Sequence, residues 1–221
     1  MTRYFITSTG TEIGKTHITA AILRHLRAQG RPAQAIKPLA SGYDPAEAQI
    51  SDAGVLLAAM GKAATPAAIA AICPWRFAAP ISPDMAAARE GTAINFPAVI
   101  DFCRTRMSEA HGHFFIEGVG GAMVPLDRSH TVRDWIAALD LPAIVIVGNY
   151  LGTISHTLCT LEALARADIA VASVIVNPHG GGPVPVGETI AALRDHQAMQ
   201  GCPIVEFEAA GWLDWLEQSG G

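Results

Sequence analysis

Tyr4-Phe5-Ile6-Thr7, then Ser8-Thr9-Gly10-Thr11-Glu12-Ile13, then Gly14-Lys15-Thr16-His17 follow one another near the start of the chain. The first four residues are aromatic and β-branched, the composition of a buried strand. From Gly14 onward, Ile18, Ile22, Leu23 and Leu26 recur at helical spacing as far as Gly30, a fitting residue to end a helix. A strand, a short loop and a helix start therefore abut. Such a loop can ring an anion with backbone N–H groups. Glycine lets the backbone approach closely, and the helix adds its positive N-terminal end. Lys15 would put a compact charge on the β and γ phosphates of a nucleotide, and the Thr16 hydroxyl would complete a magnesium shell. Thr9 stands where such loops carry their first glycine, and Gly10 lies too close to Gly14 to replace it. The loop is a variant.

The same alternation continues along the chain. Residues 114–116, 143–147 and 174–176 are continuous apolar runs, and 33–37 reads as a second strand. Apolarity without alternation means strands buried on both faces. Helix-period segments fall at 97–110, 131–139, 153–167 and 186–200. Strands that alternate with helices predict βαβ units. The expected fold is α/β, a single P-loop domain over residues 1–221 with a mostly parallel sheet and helices on both faces. Residues 63–90, rich in Ala and Pro, read as short helices and loops capping one end of the sheet. Residues 179–186 read as a surface loop.

Half of the residues are hydrophobic, 16% are charged and the formal net charge is −5. That balance allows a large core and argues against a nucleic-acid surface, which needs a basic stripe. No run reaches the roughly 18 apolar residues of a membrane span, and the first residues lead straight into a strand, so neither a membrane anchor nor a signal peptide is expected. Cys73, Cys103, Cys159 and Cys202 are scattered, with no CxxC or Cys/His metal spacing. They read as small apolar residues in a reducing compartment, and the expected location is cytoplasmic.

A second signal supports the phosphate loop. Phe114-Phe115-Ile116-Glu117 is a buried strand ending in a carboxylate, followed by Gly118-Val119-Gly120-Gly121. An acid at the C-terminal edge of a central strand faces the phosphate loop and can hold Mg²⁺ directly or through water. Only three of the 15 basic residues are lysine: Lys15, Lys37 and Lys62. Lysine is a slim charge that fits a crowded phosphate site, where planar arginine does not. Lys37 ends a strand beside the first and should point into the same cleft.

Thr11-Glu12-Ile13-Gly14-Lys15-Thr16, Lys37-Pro38-Leu39-Ala40-Ser41-Gly42, Ser51-Asp52-Ala53 and Glu117-Gly118-Val119-Gly120-Gly121 together resemble the dethiobiotin synthetase family in order and spacing. Leu151-Gly152-Thr153-Ile154-Ser155-His156-Thr157 and Asn177 extend the resemblance over most of the chain. The resemblance implies an ATP- and Mg²⁺-dependent ligase. CO₂ and an amine of 7,8-diaminononanoate form a carbamate, which takes the γ-phosphoryl group of ATP. The neighbouring amine then closes the cyclic urea. By the same resemblance, Lys15 and Lys37 neutralise anionic oxygens while Thr11 and Ser41 bind the carbamate. Thr16, Asp52 and Glu117 ligate Mg²⁺. Glu12, Ile13 and the amides from Gly14 to His17 cradle phosphates, with Gly118, Val119 and Gly120 beside them. Asn177 and Pro178 meet the base. Ser41 and Gly118 also touch the diamine.

The family works as a homodimer whose substrate crosses the interface. The substrate's far carboxylate would meet the helix start at Leu151, Gly152, Thr153, Ile154 and Ser155 of the other subunit. Ser155 stands where the family commonly has Asn. Residues 203–208 lack the family's Gly-x-Ile-Pro turn, which implies a loosely held base. Two other readings compete. A cobyrinate-type amide ligase needs a glutaminase cysteine, and no cysteine here has that context. A nucleotide switch of the partitioning or iron-protein type carries a second lysine early in the loop, where this chain has Gly10.

Overall fold

The computed structural model describes residues 2–179, 181–196 and 201–218. Its strands are β1 (Arg3–Ser8), β2 (Ala33–Ile36), β3 (Leu39–Ser41), β4 (Trp75–Phe77), β5 (His113–Glu117), β6 (Ala143–Gly148), β7 (Val171–Asn177) and β8 (Ile204–Glu206). The helices are α1 (Lys15–Ala28), α2 (Asp52–Ala59), α3 (Pro66–Ile72), α4 (Pro83–Arg89), α5 (Phe96–Glu109), α6 (Val132–Leu139), α7 (Thr153–Ala165), α8 (Val186–Arg194) and α9 (Asp214–Gln218). Six strands form one sheet in the order β2-β5-β1-β6-β7-β8, and every pairing is parallel. The chain leaves β1 in one direction to reach β2, then works back through β5 to β6, β7 and β8. Right-handed crossovers therefore place helices on opposite faces.

The aromatic contacts show both faces covered. Tyr4 stacks on Phe115 and meets Trp215 of α9 edge-on at 5.6 Å. Phe5 points the other way and meets Trp135 of α6 edge-on at 5.0 Å. Between these layers β5 and β6 are buried along their whole length, as their unbroken apolar runs require. Gly30 ends α1 with a positive φ of 68°. Its N–H bonds to Arg27 and that of Arg31 to Leu26, the paired bonds that satisfy the last carbonyls.

The structure departs from the sequence-based expectation at four places. The helix expected over 186–200 ends at Arg194, whose guanidinium donates to the Ile204 carbonyl of β8; residues 197–200 lie outside the described residues. Strand β8 was not expected, because three residues are too short to show a period. Residues 63–90 do contain short helices, α3 and α4, but also β4, which pairs in parallel with β3 as a small second sheet. Helix α2 was also unexpected. It is capped by Ser51, whose hydroxyl accepts from the Gly54 amide.

Candidate active site

The phosphate loop leaves the C-terminal end of β1 and enters α1 through Gly14, which caps the helix at φ 97°. A Cβ there would lie 2.4 Å from the Asn177 side-chain nitrogen, so both the conformation and the space demand glycine. Glu12 also adopts a left-handed φ, 59°. Such reversals turn successive N–H groups inward, the geometry of an anion nest. Behind the loop, the Asn177 amide donates to the Ile13 carbonyl at 3.0 Å and its oxygen accepts from the His179 amide.

Four charged side chains converge in front of the loop. Lys37 emerges where β2 ends. Its Nζ donates to Glu117 Oε1 at 2.9 Å, to the Gly118 carbonyl at 2.8 Å and to Asp52 Oδ2 at 3.0 Å. Burial works against this ammonium, but the two carboxylates outweigh it and hold the Lys37 pKa above the ordinary lysine value. Asp52, presented by the first turn of α2, is in turn held below the usual carboxylate range by Lys37. Glu117 is fully buried and also accepts from the Thr16 hydroxyl at 2.6 Å and the Thr19 hydroxyl at 2.8 Å.

Lys15 is 7% exposed, and among the described residues its ammonium donates to Ser8 Oγ at 3.0 Å, at the end of β1, and to the Gly10 carbonyl of the loop at 3.2 Å. Burial, helped by the nearby charge of Lys37, pushes its pKa down to about 8. Two ammonium groups thus face two carboxylates, and the formal charge of the cluster is balanced.

A cavity of about 670 Å³ opens in front of this cluster. Of the residues singled out from sequence, Thr11, Glu12, Gly14, Lys15, Thr16, His17, Lys37, Ser41, Asp52, Val119 and Gly120 line it. Glu117 and Gly118 lie directly behind, reached through Lys37. Ile13 and Asn177 support the loop from its far side, with Pro178 next in the chain. Leu151, Gly152, Thr153, Ile154 and Ser155 do not line the cavity and form a separate helix start, with Leu151 86% exposed.

Other residues on the wall were not found by sequence reasoning. Pro80, Ile81, Ser82, Pro83 and Val124 supply a mostly apolar side, and they fall in segments without periodicity. Ser8 and Thr19 hold the charged groups from behind. Thr19 was legible in principle, because it follows Thr16 by three residues and so shares its helix face.

A parallel sheet with a Gly-Lys-Thr loop on its central strand and a buried carboxylate on the neighbouring strand defines a P-loop nucleotide-binding protein. Residues 2–217 match the family described as an AAA domain. The chain is 52% identical over 220 residues to the ATP-dependent dethiobiotin synthetase BioD of Acidiphilium cryptum (strain JF-5), with 99% of each covered. It is 43% identical over 206 residues to that of Methylobacterium nodulans, covering 90% of this chain and 91% of the other. The chain belongs to the AAA domain family and, within it, to the ATP-dependent dethiobiotin synthetases. The MinC:MinD cell division complex of Aquifex aeolicus shares the fold, with a TM-score of 0.55 at 13% identity, covering 99% of this chain and 86% of that one.

Proposed function

We propose that the whole chain acts as one ATP-dependent cyclo-ligase domain, making the cyclic urea of dethiobiotin from 7,8-diaminononanoate and CO₂. The observation that carries this reading is the convergence of the phosphate loop, Lys37, Ser41 and Asp52 on one cavity. Phosphoryl transfer to a weak anionic nucleophile is mainly positioning and charge neutralisation. The loop amides and Lys15 hold the triphosphate. Thr11 and Ser41 hydrogen-bond the carbamate, and Lys37 sits between phosphate and carbamate oxygens. The carbamate oxygen attacks the γ phosphorus and ADP leaves. The second amine then attacks the carbamate carbon of the mixed anhydride, expelling phosphate and closing the ring. The apolar side from Pro80 to Pro83 suits the alkyl chain of the diamine acid.

Asp52 and Glu117 flank the Lys37 ammonium and Thr16 bonds to Glu117, and these three supply an all-oxygen donor set that fits a hard divalent cation such as Mg²⁺. The balanced charge of the cluster points the same way, since nucleotide phosphates bring negative charge that the residues alone do not offset. An ion held by these residues would supply positive charge to offset the phosphate oxygens during transfer.

The substrates are small molecules, and the site works as a homodimer in the cytoplasm. No helix among the described residues is long and apolar enough to cross a membrane. Lacking the proline turn after β8, the base is loosely held, and CTP and GTP are expected to compete within about tenfold of ATP, or roughly 1.4 kcal/mol. Strong rejection of both would show that another segment closes the pocket. The main test mixes protein, ATP, Mg²⁺, bicarbonate and diaminononanoate. It should yield a product heavier by one ring carbonyl, with phosphate release that requires both bicarbonate and the diamine acid. Comparable hydrolysis without them would favour a nucleotide switch.

A further inference from the structure

We infer that Thr19 is a positioning residue for the metal and phosphate site, acting through Glu117. Glu117 is fully buried, and its two oxygens are held differently. Thr16 and Lys37 both donate to Oε1, at 2.6 and 2.9 Å. Among the described residues, the Thr19 hydroxyl is the donor to Oε2, at 2.8 Å. Without it, half of a buried carboxylate would lack a partner, and the group could rotate away from Thr16 and Lys37.

The Thr19 hydroxyl has one proton and two acceptors at equal range, because the Lys15 carbonyl also lies 2.8 Å away. A threonine that merely bonds back to its own helix would choose that carbonyl. The carbonyl, however, can already serve the helix ladder, whereas the carboxylate is charged. A hydrogen bond to an ionised acceptor is roughly twice as strong as a neutral one. The proton therefore goes to Glu117. Thr16 and Thr19 sit three residues apart on one face of α1, so a single helix grips both carboxylate oxygens. Fixing the carboxylate fixes Lys37 in turn, whose other anchors are Asp52 and the Gly118 carbonyl.

This inference rests on the metal site proposed above, and its test reads binding rather than turnover. Calorimetry would measure the affinity of the non-hydrolysable β,γ-methylene analogue of ATP, once with Mg²⁺ and once with EDTA. Wild type should bind more tightly with Mg²⁺. Thr19→Val keeps the shape and removes the hydroxyl, and it should lose about tenfold of that metal enhancement. Its EDTA affinity should fall far less than that, because the loop amides and Lys15 are untouched and only the Lys37 contact is loosened. Thr19→Ser should restore the enhancement, and Thr19→Ala asks the same question should valine fold poorly. Full enhancement in Thr19→Val, or a serine variant as impaired as valine, would overturn the inference. No enhancement in wild type would instead remove the metal reading itself, an outcome distinct from the other two.

Discussion

An ammonium at position 37 reaches three acceptors because it ends in a single nitrogen with three diverging protons. A guanidinium is a wide planar fork, more weakly hydrated, and does not fit among the same oxygens. Lys37→Arg should therefore lower kcat by about a hundredfold or more, the scale seen when a charge-stabilising donor is misplaced. Lys15→Arg should also weaken nucleotide binding, whereas the exposed Lys62 provides the control and should tolerate arginine. Steady-state kinetics on the three variants, with thermal melts to check folding, decides this. A near-normal Lys37→Arg would mean that bulk positive charge suffices. Lys15 makes a separate prediction. Burial lowers its pKa to about 8, and bound phosphates favour the charged form, so they must raise it. Nucleotide affinity should hold below about pH 8 and fall above it, by up to about tenfold per pH unit until the bound-state pKa is passed. A flat affinity profile from about pH 7 to pH 9, measured without metal, would refute this.

Helix α2 shows how an element can matter through what it carries. It presents Asp52 to Lys37 from its first turn, and its path is set by close packing under Gly54. A Cβ at Gly54 would fall 2.1 Å from the Ala48 carbonyl oxygen and 2.6 Å from that of Gln49, both backbone atoms that cannot swing aside. Gly54→Ala should cost roughly 2 kcal/mol by overpacking. In a chain of this size that lowers Tm by roughly 4–8 °C. Activity should fall further than stability, because Asp52 moves with the helix; an unchanged melt and an unchanged kcat would show that the turn relaxes freely. This helix was invisible to periodicity. Its sequence, Asp-Ala-Gly-Val-Leu-Leu-Ala-Ala, is apolar almost all round and marked only by the Ser51 cap. Elements that announce themselves, such as α1 with its striped face or β5 and β6 with their unbroken apolar runs, were legible because burial dictates their pattern. The three-residue strands β3, β4 and β8 were not, because tertiary pairing and not local sequence makes them strands. The site divides in the same way. Residues in contiguous motifs, from Thr11 to His17 and from Glu117 to Gly120, could be read directly. Thr19 and the Pro80 to Pro83 wall gain their meaning only from what the fold brings beside them.

At the scale of the whole molecule, the cavity has a floor of charge and one apolar side, and then opens outward. A substrate with a long alkyl chain and a terminal carboxylate needs a second wall and an anion receptor. Among the described residues the cavity has one apolar side, from Pro80 to Pro83, and its loop amides and ammonium groups are the receptor for the phosphates, so the far carboxylate needs another. Both features exist elsewhere on the surface. Helix α7 begins at Gly152 in a left-handed conformation with no side chain capping its N–H groups, and Leu151 and Ile154 stand exposed beside it. A two-fold dimer would let the same patch serve both sites, each subunit lending its helix start to the other. Met123 and Met85 are about half-exposed, the adaptable surface such an interface favours. The expected state is therefore a homodimer, with α7 of one subunit facing the phosphate loop of its partner. Leu151→Glu introduces a charge at that contact. It should shift the protein towards monomer in sedimentation experiments and raise KM for the diamine acid by about tenfold or more, the effect of losing one well-made contact. Nucleotide affinity should be unchanged, since the phosphate loop lies wholly within one chain. That split separates a shared substrate site from general destabilisation, which would weaken both ligands together. A wild-type monomer with full activity would instead require that the chain close over its substrate alone.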